Sequence, residues 1–109
     1  MEEILAIAKQ LGDAVKASER CAALRSASEA FQADADAQAL RDEYDAAVTA
    51  VQEKTARNAP LEPEEKRAEA DLRAKVAVNP TILSLLRAQA DFHELMNAIN
   101  DTVQKTIDL

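Results

Sequence analysis

Asn79-Pro80-Thr81-Ile82-Leu83-Ser84-Leu85-Leu86-Arg87-Ala88-Gln89-Ala90-Asp91-Phe92 is the stretch that decides the fold. It opens with an asparagine able to cap a helix and a proline suited to the first helical turn. Apolar residues then recur in steps of three and four, and the pattern continues to about Ile107. Ile82, Leu85, Gln89, Phe92, Met96, Ile99 and Val103 form a heptad seam of about three repeats, widened by Leu86 and Leu95. At about 1.5 Å per residue this helix is roughly 40 Å long. A compact domain of about 100 residues has a radius of gyration near 13 Å. So long a helix protrudes or lies along a partner, and the seam predicts the second: these nine residues as the interface of a homodimer or larger oligomer. Gln89 within the seam is a candidate for fixing register, with Asn97 and Asn100 as further polar candidates.

Upstream, four more helices are expected. The first covers about Glu2 to Ala17, with Ile4, Leu5, Ala8, Leu11 and Val15 on one stripe. Gly12 lies inside it, where glycine costs roughly 1 kcal/mol relative to alanine; a close helix crossing would account for it. Ser18 is the candidate cap of a second helix, about Glu19 to Ala33, with the weaker stripe Ala22, Leu24, Ala27 and Phe31. Asp34 or Asp36 caps a third, running to about Arg57, with Leu40, Tyr44, Ala47, Val48 and Val51 on one side. Asn58-Ala59-Pro60-Leu61-Glu62-Pro63 breaks the pattern, and Pro63 suits the start of a fourth helix ending at about Val78. That helix is thin in apolar positions and rich in alternating charge. It reads as an exposed helix steadied by i,i+3 and i,i+4 ion pairs.

Composition agrees. Among 109 residues there are 24 alanines, one glycine and three prolines, too few turn formers for a sandwich or barrel. The expectation is one all-α domain over residues 1–109, about five helices in an open bundle. Thirteen basic against twenty acidic residues give a net charge of −7. A phosphate-binding surface wants clustered Lys and Arg, so direct nucleic-acid binding is not expected. No apolar run approaches the roughly 20 residues that span a bilayer, and Met1-Glu2-Glu3 lacks a basic leader, so no membrane association is expected. A lone Cys21 cannot close an internal disulfide, which fits a cytoplasmic location.

Residues able to carry chemistry are few. His93 has neither converging metal ligands nor a paired nucleophile in sequence, and reads as a surface or interface residue. Cys21 lies near Arg20 and Arg25, charges that lower a thiol pKa. One cysteine cannot hold an iron–sulfur cluster, which takes about four protein ligands, so Cys21 could join one only if the cluster is shared between chains. The pairs Glu2-Glu3, Asp42-Glu43 and Glu64-Glu65 point about 100° apart on a helix and read as solvated faces, not acid–base pairs. No Gly-rich phosphate loop, Cys-x-x-Cys or His-Glu-x-x-His is present. No catalytic residue, resident cofactor or metal site is expected. The third helix and its junction carry Asp34, Asp36, Asp42, Glu43, Asp45 and Glu53 against only Arg41, Lys54 and Arg57. Asp42, Glu43 and Asp45 are therefore the candidate partner-binding residues.

The order of these features resembles a known family. A short amphipathic helix ends in Val15-Lys16-Ala17-Ser18, and the Ala30-Phe31-Gln32-Ala33-Asp34-Ala35-Asp36-Ala37 junction follows. Beyond the acidic third helix and the proline break come Asn79-Pro80-Thr81-Ile82-Leu83-Ser84-Leu85-Leu86-Arg87-Ala88-Gln89 and Leu95-Met96-Asn97-Ala98-Ile99-Asn100. Together they resemble the YlbF/YmcA family of small bacterial helical proteins, over nearly the whole chain. The resemblance implies an all-helical dimer or larger oligomer without an enzymatic site of its own. It implies a regulatory adaptor in complexes that affect competence, sporulation and biofilm formation and that assist RNase Y in processing messenger RNA, with related family members as partners. Some members are associated with iron–sulfur clusters held by cysteines from several subunits; here only Cys21 is present, so the adaptor class carries over and the cofactor does not.

Two other readings stand beside the adaptor. A helical holdase or assembly chaperone would clasp apolar segments, and suppression of aggregation separates it. A subunit of an iron–sulfur-dependent regulatory complex would recruit Cys21, and the absorbance spectrum of anaerobically purified protein separates that one.

Overall fold

The computed structural model describes residues 1–109 as five helices with no strand: α1 (Glu2–Lys16), α2 (Glu19–Gln32), α3 (Ala35–Ala56), α4 (Pro63–Val78) and α5 (Pro80–Ile107). The all-α class read from the sequence is correct. The boundaries fall where local chemistry puts them, because side chains satisfy the orphan amides of each first turn. Ser18 Oγ accepts the Cys21 amide at 3.2 Å, Asp34 Oδ1 accepts the Ala37 amide at 3.0 Å, and Asn79 Oδ1 accepts the Ile82 amide at 3.0 Å. Pro63 opens α4, where its missing N–H costs nothing.

The contacts divide the chain into two units, Ala30–Ser84 and Met1–Glu29 with Leu85–Leu109. Within the first, α3 and α4 pack against each other as a helical hairpin. Its turn is a Schellman reversal. Asn58 adopts the left-handed conformation (φ 55°), the Asn58 amide donates to the Thr55 carbonyl at 3.1 Å, and the Ala59 amide donates to the Lys54 carbonyl at 2.9 Å. Asparagine tolerates that conformation better than most residues other than glycine. An ion pair ties the two helices together beside the turn. It joins Lys54 to Glu65, and Arg73, which pairs with Glu69 on its own helix, lies near Tyr44 further along. The charge-rich α4 is thus steadied both by its own i,i+4 pair and by α3. Ala37 is fully buried and Ile82 is 4% exposed. At the same end Thr81 Oγ1 donates to Asp34 Oδ2 at 2.7 Å, so one carboxylate both caps α3 and holds the first turn of α5.

The other unit joins α1, most of α2 and the rest of α5. Arg20 reaches α5, donating to the Asp91 carbonyl at 2.9 Å with Glu94 at 3.8 Å. Leu85 and Ala88 are buried. The α1 stripe behaves differently: only Val15 is half-buried, while Ile4, Leu5, Ile7 and Leu11 stay exposed. No close crossing accounts for Gly12, since a Cβ placed there would meet no atom within 4 Å. No helix is long and apolar enough to cross a membrane.

Candidate interaction surfaces

Three surfaces hold the residues singled out above. The first is the seam of α5. Its start is consumed within the chain, with Ile82 and Leu85 buried at 4% and 6% exposure. Gln89, Phe92, Leu95, Met96 and Ile99 are half-buried, whereas Leu86 and Val103 are exposed. Sequence periodicity therefore marked a stripe of which the first two turns serve the chain's own packing and the C-terminal end lies open. Asn97 and Asn100 are exposed.

The second surface is the acidic side of α3. Asp42, Glu43 and Asp45 are exposed. Arg41 lies 3.7 Å from Asp45 and its guanidinium sits 5.3 Å from the centre of the Phe31 ring, so Asp45 has a neighbouring cation and Asp42 and Glu43 have no ion pair. Asp34 does not belong with them. Its carboxylate is half-buried and engaged by the Ala37 amide and the Thr81 hydroxyl. Those two donors, with the Asp36 amide as a lesser third, hold its pKa below the usual 3.8. Its role is structural, and the sequence could not separate it from the acidic face because Thr81 lies 47 positions away.

The third surface was not singled out in the sequence as a site. Leu11 on α1 and Ala98, Ile99, Thr102 and Val103 on α5 line an open groove of about 290 Å³. Exposed Ile4 and Ile7 continue it along α1, and exposed Ile107 continues it along α5. The signal for this surface in the sequence was the apolar stripe of α1.

None of these surfaces gathers reactive groups. His93 is exposed, with Nδ1 2.8 Å from the Gln89 carbonyl of its own helix. Cys21 is half-buried, and its Sγ accepts only a long 3.9 Å contact from Arg25. No three His, Cys, Asp or Glu side chains stand close enough to share a metal ion. One thiol does not fit an iron–sulfur cluster within this chain.

What the geometry defines is an all-helical protein whose distinctive features are apolar and acidic surfaces. A comparison with protein families gives the class a name: residues 4–108 match the family described as control of competence regulator ComK, YlbF/YmcA. This chain belongs to the YlbF/YmcA family. It is 31% identical over 101 residues to the UPF0342 protein LBA1592 of Lactobacillus acidophilus, covering 93% of this chain and 87% of that protein. Among solved structures it resembles Bacillus subtilis RicA, determined in complex with RicF (TM-score 0.83, 16% identity, 96% of this chain and 93% of that one). It also resembles a DUF964 protein of unknown function from Bacillus stearothermophilus (TM-score 0.71, 22% identity, 97% and 93%). The fold is shared with both solved structures over these lengths.

Proposed function

We propose that this chain is a non-enzymatic regulatory adaptor that works by protein–protein contact. The observation that carries this reading is membership, over residues 4–108, of a family described by its control of a competence regulator. RicA, similar in fold, was solved bound to RicF, which supports protein partners for this chain too. The partners are a second copy of the chain, with the α5 seam contributing, and an unlike protein steered by Asp42, Glu43 and Asp45. RNase Y and related family members are the first partners to examine, in a complex affecting mRNA processing, competence, sporulation or biofilm control.

Exposed charges of one sign set encounter rate and selectivity more than affinity. They are screened beyond about 8 Å at physiological ionic strength. Purified chain should bind purified RNase Y or another family member, with an association rate that falls as salt rises. The variant carrying Asp42→Asn, Glu43→Gln and Asp45→Asn should retain its helical circular dichroism and lose most of that salt dependence. Unaltered rate and salt dependence in the triple variant would reduce the acidic face to a solubilising surface. Absence of binding to any of these proteins, with the wild-type fold intact, would defeat the adaptor reading.

A further inference from the structure

We infer that the α3–α4 loop, Ala59-Pro60-Leu61-Glu62-Pro63, is a preformed polyproline-II ligand for a partner domain with an aromatic-lined groove of the SH3 type. This surface stands apart from the acidic face of α3 and requires neither a second copy nor RNase Y. The chain holds three prolines, and two of them sit here, three positions apart. Opening α4 accounts for Pro63. It does not account for Pro60, which lies outside both helices and is exposed.

The backbone gives the pair its meaning. Glu62 has φ −69° and ψ 145°, beside the polyproline-II values of about −75° and +145°. A following proline disfavours the helical region, which holds Glu62 extended before Pro63 and Ala59 extended before Pro60. The ring of Pro60 fixes its own φ near −65°. A polyproline-II run turns once in about three residues, so Pro60 and Pro63 share one ridge, roughly 9 Å apart. That is the Pro-x-x-Pro spacing that aromatic grooves read. Pro60, Glu62 and Pro63 are exposed and Leu61 is half-buried, so the run has an inner and an outer side.

Both ends of the run are clamped. At one, the Ala59 amide donates to the Lys54 carbonyl at 2.9 Å. At the other, the Glu62 carbonyl accepts the Glu65 and Lys66 amides at 3.0 and 3.2 Å. The Lys54–Glu65 ion pair spans the base of the loop. Between the clamps, the carbonyls of Ala59, Pro60 and Leu61 accept no backbone amide of the chain. They are free for the indole and phenol donors that line such a groove. Preorganisation of this kind removes the ordering cost that a flexible peptide incurs on binding.

Charge selects among such grooves. Arg57 ends α3 at the base of the loop, is exposed and forms no ion pair. A carboxylate on the rim of the partner's groove would meet it as a charge-assisted hydrogen bond.

The probe is a purified, isotope-labelled SH3 domain with acidic residues beside its groove, titrated with the full chain. Its groove tryptophan and tyrosine resonances should shift with a micromolar dissociation constant. Pro60→Ala should weaken binding about tenfold or more and keep the wild-type helical circular dichroism. Arg57→Gln should flatten the salt dependence of binding. The variant Asp42→Asn, Glu43→Gln, Asp45→Asn should bind the domain as the wild type does. As a check that needs no variant to fold, an excess of a proline-rich peptide ligand of the same domain should displace the chain. Absence of shifts in the groove overturns the inference, as does undiminished binding by Pro60→Ala or a chain that the peptide fails to displace. The adaptor reading is tested separately, by binding to RNase Y or a family member.

Discussion

Asp34 shows how one side chain holds two distant stretches. Its carboxylate caps α3 through the Ala37 amide and accepts the Thr81 hydroxyl at the start of α5. Replacing it with alanine removes both contacts, so Asp34→Ala should lower the denaturation midpoint more than Thr81→Val does. The double variant should lose less than the sum of the two, because both singles break the same bond. The pH dependence has a definite sign. Asp34 binds its proton less readily in the folded chain than in the unfolded one, mainly through the Ala37 amide and then the Thr81 hydroxyl. Its contribution is therefore present above pH 3.8 and is lost as pH falls through the lowered folded value. In urea titrations the gap between wild type and Asp34→Ala should be constant above about pH 5 and close below 3.8. The cap was legible in sequence, since capping needs only an aspartate beside a helical run. The second contact was not, because nothing local announces a partner 47 residues away.

At the scale of single helices, periodicity told where helices run but not which face is covered. The α1 stripe is regular and lies open, whereas α3 and α4, with weaker stripes, pack together with Lys54 paired to Glu65. A hydrophobic stripe reports that a helix wants a partner and leaves the partner's identity to tertiary structure. Gly12 tests the openness of α1. With nothing within 4 Å of a Cβ there, Gly12→Ala should raise stability by about 0.5–1 kcal/mol, read as a higher urea midpoint at unchanged slope. A loss instead would place another surface against that glycine. On α5 the two neighbouring leucines should part company. Leu85, 6% exposed, should cost about 2–5 kcal/mol on truncation to alanine. Leu86, 50% exposed, should change the stability of the isolated chain by no more than about 0.5 kcal/mol. Denaturant unfolding of the two variants at equal concentration gives both numbers.

For the molecule as a whole, stability and association are one measurement if the α5 seam pairs copies. A folded dimer in equilibrium with unfolded chains gains about 1.4 kcal/mol per dimer for each tenfold rise in concentration, so Tm should climb with concentration. A chain with Val103→Lys, a charge on the exposed end of the α5 seam, should show a Tm independent of concentration. Differential scanning calorimetry over two decades of concentration separates the cases. The all-α class was fully legible from composition, since one glycine among 109 residues leaves no material for sheet turns. The acidic residues Asp42, Glu43 and Asp45 were legible as exposed, because consecutive charges on a helix have nowhere else to go. The groove was not, since it needs Leu11 and Val103 brought together from opposite ends of the chain.

That last separation sets an order of assembly. Ala30–Ser84 is one uninterrupted stretch, whereas the other unit is made from Met1–Glu29 and Leu85–Leu109. The α3–α4 hairpin closes through a short loop of its own, whereas α1 needs the far end of the chain. During folding α1 stays uncovered until Leu85–Leu109 reaches it from beyond the Ala30–Ser84 stretch. Closing that long loop costs more chain entropy than closing the hairpin, so amides of α3 and α4 should gain protection before those of α1 when refolding is followed by pulsed hydrogen exchange.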